Sequence, residues 1–255
     1  MEDHIRLERN GHIATIWIDR QDKRNTMTVA MREMFPGIFQ ELDADKDVRV
    51  IVIRGAGHAA FSAGGDMAEF LTLQPHELEQ WGDTLSWAER CRKPVVAAID
   101  GFALGAGLEL AVSCDFRIAT EKSEFAFPEV RLGMIPGSGG TQRAMRLIGA
   151  TRAKWFIMTG RRIPAKLAEE WGLITQCVPE AEFDGAVEVL CAELSALAPL
   201  ALRTLKTVLN KGIDAPLETE LELERKAYAW LRTTEDYTEG VNAFFEKRKP
   251  NFKGR

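Results

Sequence analysis

The chain has 255 residues, 45% of them hydrophobic and 28% charged, with a formal net charge of −5. That length suits one large domain, or one domain with a helical appendage, and the acidic balance speaks against a nucleic-acid partner. No apolar run reaches the ~18 residues of a membrane span, and the polar start Met1-Glu2-Asp3-His4 carries no secretory signal, so a cytoplasmic protein is expected.

Ile13 to Ile18 alternates as a strand does, and Asp19 to Asn25 reads as a charged loop. From Thr28 to Leu42 the apolar residues Val29, Met31, Met34, Phe35, Ile38, Phe39 and Leu42 fall at helical spacing, with Pro36 expected to bend the helix. Val48 to Ile53 is a β-branched strand stopped by Gly55 and Gly57, and Phe61 to Asp66 leads into a helix. An amphipathic stretch spans Gln74 to Arg92. A buried strand from Pro94 to Ile99, a turn at Asp100-Gly101 and a helix opened by Gly105-Ala106-Gly107 repeat the strand–glycine–helix unit. Two such units predict parallel strands joined by crossover helices.

Phe116 to Ala119 reads as another strand, and Gly137 to Gly140 starts another helix. Helices are expected over Ala153–Thr159 and Ala165–Trp171, then a last strand over Leu173–Val178. Everything from Ala181 to Lys247 reads as helix, broken at Ala198-Pro199, Gly212 and Thr233-Thr234.

Several chemistries drop out. Gly105 to Leu110 starts like a dinucleotide fingerprint but has Leu110 in place of the third glycine. No P-loop run occurs, and Ser138 fails the nucleophile-elbow pattern because Pro136 stands where its first glycine belongs. All four histidines precede the glycine-rich centre, and the cysteines (Cys91, Cys114, Cys177, Cys191) form no CxxC pair. Reduced core thiols and no metal site are therefore expected.

Carboxylates remain as acid–base candidates. Glu109 and Glu129 stand twenty residues apart, each beside a break in regular structure. Singly, each has a plain structural reading: Glu109 at a helix start gains from the dipole, and Glu129 after Pro128 could be an exposed turn residue. Yet Glu109 is followed by Leu110-Ala111-Val112, so its helix is expected to be buried, and an ionised carboxylate there is costly without partners, a common mark of a working acid or base.

With these residues assembled, the chain resembles the crotonase superfamily, and within it the enoyl-CoA hydratases. The resemblance runs through Asp19-Arg20…Asn25, Ala60 to Asp66, Lys93 to Glu109, Cys114-Asp115, Phe127 to Arg143 and Phe244 to Phe252. It implies an α/β fold, a crotonase-like spiral of ββα turns over residues 1–180, with a helical C-terminal region over 181–255 that builds a homotrimer or homohexamer. It also implies an acyl-CoA thioester as partner, with coenzyme A part of the substrate and no separate cofactor. The thioester oxygen would be held by the N–H groups of Gly65 and Ala106, each at a glycine-rich helix start where N–H groups lack partners. Such donors are worth about 2.7–4 kcal/mol each to a developing enolate.

By the same resemblance Glu109 would activate the water that adds to the β-carbon, Glu129 would protonate the α-carbon, and the Gly137 N–H would help place the water. Ala63 would contact coenzyme A, and Lys23 or Arg24 in the first loop, or Lys253 near the C-terminus, are candidates for its phosphates, with solvated surface the alternative for these basic residues. The sequence departs from the pattern at Ala68, where a basic residue often grips the CoA phosphates, and at Gln21, where proline is common. Trp81, Trp87 and Phe127 are candidates to shape the acyl pocket, with core packing the alternative for the tryptophans. A different crotonase reaction, such as isomerisation or hydration of a cyclic or aromatic acyl-CoA, stays open beside the hydratase, as does a non-catalytic CoA- or RNA-binding role.

Overall fold

The computed structural model describes residues 4–255, apart from the side chains of Gln80 and Trp81. The chain enters through an antiparallel hairpin of β1 (Ile5–Asn10) and β2 (Ile13–Ile18). Nothing in its sequence announces β1: only Ile5 is buried, and Arg6, Glu8 and Arg9 make it a charged edge strand. Helix α1 (Val29–Ala44) is capped by Thr28, whose hydroxyl accepts from the Met31 N–H at 3.2 Å. Pro36 lies inside α1 and does not end it. Phe35 and Phe39, stacked and fully buried, hold the helix to the core and outweigh the one hydrogen bond that proline forfeits.

Three passages then share one plan. Strands β3 (Val50–Gly55) and β4 (Ala60–Ser62) precede α2 (Met67–Phe70), α3 (Pro75–Thr84) and α4 (Trp87–Arg90). Strands β5 (Val95–Ile99) and β6 (Phe102–Leu104) precede α5 (Ala106–Ser113). Strands β7 (Phe116–Thr120) and β8 (Glu124–Ala126) lead through a 3-10 turn at Glu129–Leu132 to α6 (Gly140–Ile148) and α7 (Ala150–Thr159). Next come β9 (Ile163–Pro164), α8 (Ala165–Trp171) and β10 (Gln176–Val178), then α9 (Phe183–Ala196), α10 (Pro199–Gly212), α11 (Leu217–Leu231) and α12 (Glu235–Glu246).

In each passage the first strand joins one sheet, ordered β1-β2-β3-β5-β7-β10, and the second joins another, ordered β4-β6-β8-β9. The ladders from β2 to β10 in the larger sheet are all parallel. This is the α/β spiral of ββα turns that the resemblance implies. The corner between strands demands glycine at Gly101: its φ is +79°, and a Cβ there would stand 2.2 Å from the Ala59 carbonyl oxygen.

Both faces of the larger sheet are covered. Ile51, Ile53, Val95, Ala97 and Ile99 face the main core with Phe35, Phe61 and Phe125. Val50, Val52, Val96, Ala98 and Ile118 face Phe183, Val187, Cys191 and Leu194 of α9. That is why these strands read as unbroken apolar runs. The expected last strand is shorter than Leu173–Val178, because the Leu173 and Ile174 N–H groups turn back to the Ala168 carbonyl (2.8 and 3.3 Å) and close α8. The stretch Gln74–Arg92 divides into α3 and α4, and the breaks expected in the C-terminal helices fall at helix ends. Among the described residues no single helix is long and apolar enough to cross a membrane.

A buried ion pair fastens α10 to the core. Lys206 Nζ lies 2.7 Å from the Asp115 carboxylate and donates to the carbonyls of Ala88 (2.8 Å) and Lys93 (3.0 Å). Lys206→Met strands Asp115 in a largely buried site and is expected to cost roughly 3–5 kcal/mol, whereas Lys206→Met with Asp115→Asn should recover much of it. Urea unfolding of both variants checks this; equal losses would show that packing, not the charge, is at stake.

Candidate active site

The smaller sheet builds the site. Its parallel strands β4, β6 and β8 run side by side, and the chain leaving each one lines a single cavity of ≈ 400 Å³. From β4 come Ala63, Gly64 and Gly65; from β6, Gly105, Ala106 and Glu109; from β8, Pro128 and Glu129. Met67, Phe70, Leu132, Met134 and Ile135 give the same cavity an apolar wall, and Gly137, Ser138 and Arg32 close it. Another cavity, of ≈ 340 Å³ beneath α10, is lined by Leu205, Leu209 and Ile213 around the Asp115–Lys206 pair and lies away from both glutamates.

The loop after β4 is aimed by its neighbours. The Met27 N–H donates to the Gly64 carbonyl (2.8 Å), and the Asp66 N–H donates to the Met27 carbonyl (2.9 Å). In a parallel bridge of this register Gly64 and Asp66 turn their groups toward Met27, so the N–H of Gly65 points the opposite way. The Asp19–Asn25 loop pins this arrangement. Asn25, buried, donates to the carbonyls of Ala56 (2.9 Å) and Ala60 (2.7 Å), and Arg20 pairs with Asp66 at 2.7 Å. That hydrogen bond from Arg20 holds the Asp66 carboxyl below its usual range.

Ala106 is the first residue of α5, so its N–H has no acceptor within the helix. Before it, Gly105 adopts φ +51°, a conformation that suits glycine, and a Cβ there would stand 3.1 Å from Glu129 Oε1. Among the described residues neither the Gly65 nor the Ala106 N–H donates a hydrogen bond, and both line the cavity.

Glu109 is 3% exposed, one helical turn into α5. Its Oε1 accepts from the N–H groups of Ser138 (2.6 Å) and Gly140 (3.0 Å). Burial leaves its pKa above the ordinary carboxylate value, although those two donors, Arg32 and the Ser138 hydroxyl all oppose that rise by favouring the ionised form. Gly140 is required here: a Cβ would meet the Phe127 ring at 2.6 Å and Glu109 Cγ at 3.0 Å. Glu129 lives differently. Burial pushes it up to about 7, the charge of Glu109 adds to that, and its Oε2 has no hydrogen-bond partner among the described residues. Two carboxyls in one cavity thus have unlike environments, one held by donors and one left to carry a proton at neutral pH.

The structure brings Gly65, Ala106, Glu109, Glu129, Gly137 and Ala63 together as the sequence pattern suggests. The donors on Glu109 are Ser138 and Gly140, while Gly137 lines the cavity beside them. Arg24 lies at the edge of the site: its carbonyl accepts from the Ala63 N–H (3.0 Å) and its guanidinium stands 5.9 Å from the Phe102 ring. Lys23, next to it, is exposed in a short 3-10 turn. Lys253 does not line this cavity; its N–H donates to Asp236 (2.6 Å) on the C-terminal tail. Trp87 packs on the core, and Phe127 is fully buried edge-on to Phe156, supporting Gly140 from behind. The side chain of Trp81 lies outside the described residues.

Sequence reasoning missed Arg32, Ser138 and Gly140. Arg32 carried a signal: it stands three residues before Phe35 and seven before Phe39, a charge on the apolar stripe of α1. The two donors, by contrast, could not be paired with Glu109 without the fold.

The family model for enoyl-CoA hydratase/isomerase matches residues 8–255. The chain is 34% identical over 258 residues to the short-chain-enoyl-CoA hydratase of Clostridium acetobutylicum, spanning 99% of each. It is 35% identical over 254 residues to the crotonyl-CoA hydratase of Syntrophomonas wolfei, spanning 98% of each. The crystal structure of enoyl-CoA hydratase from Bacillus anthracis superposes with a TM-score of 0.94 at 36% identity, covering 99% of this chain and 100% of that one. Pattern, fold and relatives converge, and the chain belongs to the enoyl-CoA hydratase/isomerase family of the crotonase superfamily.

Proposed function

We propose that this protein is an enoyl-CoA hydratase, a hydro-lyase that adds water reversibly across the α,β double bond of an enoyl-CoA to give a 3-hydroxyacyl-CoA. The observation that carries this reading is the pair of unlike carboxyls in one cavity with two outward N–H donors. Glu109, ionised, takes a proton from water as the water oxygen bonds to the β-carbon. Electrons of the double bond move to the thioester oxygen, which the N–H groups of Gly65 and Ala106 hold. Glu129, protonated, delivers its proton to the α-carbon. Proton exchange with solvent then returns both carboxyls to their starting forms. Coenzyme A enters as part of the substrate, and these steps use only groups of this chain.

The relatives named for short-chain and crotonyl substrates favour a short acyl chain. Purified protein is expected to bleach the absorbance of the conjugated thioester in crotonyl-CoA; absence of turnover with short, long, branched and aromatic enoyl-CoAs alike would refute the reading. Lys23 and Arg24 are the proposed contacts of the CoA phosphates. Lys253, away from its own cavity, would reach an acyl-CoA only from an adjacent subunit. A place in fatty acid β-oxidation follows from the reaction class, and four free cysteines fit a cytoplasmic, reducing setting.

Self-association into a trimer or hexamer is part of the proposal. Leu209, Ile213, Leu217, Tyr228, Phe244 and Phe245 are each at least 60% exposed, more apolar surface than a monomer ordinarily leaves to water. Light scattering at micromolar protein is expected to give at least three times the chain mass of 28.5 kDa; a stable, active monomer would refute it.

A further inference from the structure

The hydration mechanism leaves unused a buried charge within its own cavity. Arg32, on α1, is 2% exposed and lines the same cavity as both glutamates. Its Nη2 donates to Ser138 Oγ at 2.8 Å, joining residues that lie 106 positions apart in the chain. Ser138 is itself 5% exposed, and its N–H is one of the two donors on Glu109. The hydroxyl that accepts from Arg32 keeps its own proton to donate. A buried guanidinium is costly, so a site that retains one uses it for geometry or charge.

We propose that Arg32 is a positioning residue for the water-activating carboxylate. Anchored on Ser138 Oγ, its guanidinium holds the Gly137–Gly140 turn against Glu109 and supplies the counter-charge that keeps Glu109 a base. This rests on the hydratase reading, in which Glu109 must be ionised to take a proton from water. Among the described residues, charged and polar groups reach Glu109 from several elements. From α1 comes Arg32; from the turn after β8, Glu129; from the loop before α6, the N–H and hydroxyl of Ser138; and from the first residue of α6, the Gly140 N–H. From α6, Arg143 steadies the same loop through the Ser138 carbonyl (3.0 Å) while paired with Glu89. Among these groups Arg32 is thus a cation that acts directly on Glu109, while Glu129 opposes it. Attraction to Arg32 also runs the other way, partly offsetting the burial that lowers its own pKa to about 10.

The test is the pH profile of hydration in wild type, Arg32→Met, Arg32→Lys and Ser138→Ala. Removing the charge raises the Glu109 pKa, so the acid limb of kcat in Arg32→Met should move up by about one pH unit. Its kcat at neutral pH should fall roughly tenfold or more as the turn loosens, with a smaller change in KM. Arg32→Lys keeps the charge and should restore most of the acid limb. Ser138→Ala removes the anchor and should not add its full effect to Arg32→Met, because the two act in one chain of contacts. A folded Arg32→Met enzyme with an unmoved acid limb overturns the proposal, as does Arg32→Lys matching Arg32→Met in limb and rate. Should Arg32→Met fail to fold, the Arg32→Lys and Ser138→Ala profiles decide alone: an unmoved kcat in both overturns it. A ¹³C NMR titration of the Glu109 carboxyl in wild type and Arg32→Met reads the same charge coupling without turnover, so it holds or fails apart from the hydratase reading.

Discussion

Exchanging Glu129 for glutamine is expected to abolish hydration and exchange of the substrate α-proton together, each by roughly 10²–10⁴-fold. The amide keeps the size and polarity of the side chain but cannot carry a proton to or from carbon. Glu109→Gln should separate the two activities: hydration is lost because no base takes the water proton, while α-proton exchange persists through Glu129. Deuterium incorporation at the α-carbon of a bound acyl-CoA, followed by NMR, distinguishes them. Normal exchange in Glu129→Gln with none in Glu109→Gln would reverse the assignment, and an isomerase would tolerate Glu109→Gln for double-bond migration.

The same substitution carries a stability signature. Burial raises the Glu129 carboxyl from 4.5 to about 7, so the folded chain keeps a proton there that the unfolded chain has lost. Below pH 4.5 both states are neutral and the site costs nothing. As pH rises toward 7 the wild type loses stability, and above it the full cost remains, at most about 3 kcal/mol. Glu129→Gln should therefore unfold at higher urea concentration than wild type at pH 8 and at a similar one at pH 4. In wild type, hydration should fall as pH rises past about 7, where the α-carbon loses its proton donor. An inactive variant that is also more stable is the mark of a group kept for chemistry at the expense of the fold.

How much of this was legible before the fold was known depends on the range of the interaction. The inner strands of the larger sheet were legible because they are apolar on both faces, as in Val50 to Ile53 and Val95 to Ile99, whereas its charged edge strand β1 was not. The smaller sheet was not: its strands are two or three residues long, too short for any period, although they carry the site. Glu109 could be singled out from the buried helix around it, whereas Gly65 and Ala106 came from the family resemblance, with which their glycine-rich surroundings agree. What held Glu109 could not, since Ser138 and Gly140 lie 29 and 31 residues away and touch it through backbone N–H groups that every residue type but proline possesses. Arg32 is an intermediate case, since its place on an apolar stripe is visible in sequence but its partner is not.

Replacing Ala106 by proline should lower kcat by about 10²–10³ or more while leaving the fold in place. Proline lacks the N–H that would hold the thioester oxygen, and its Cδ takes the position of that hydrogen. The backbone at this point tolerates it unusually well. Ala106 is the first residue of α5, the position where proline is favoured, so no intrahelical hydrogen bond is lost. Gly105 before it lies at φ +51° and ψ −126°, outside the α region that a following proline excludes. The first bond of the helix, from the Glu109 N–H to the Gly105 carbonyl at 2.9 Å, does not involve the Ala106 nitrogen. Ala106→Gly, which keeps the N–H, serves as the control and should remain within a few-fold of wild type. Circular dichroism and urea unfolding establish that Ala106→Pro is folded before its rate is read. A folded proline variant with near-normal turnover would remove Ala106 from the oxyanion site, and equal losses in the proline and glycine variants would trace the effect to the packing of α5 rather than to its first N–H.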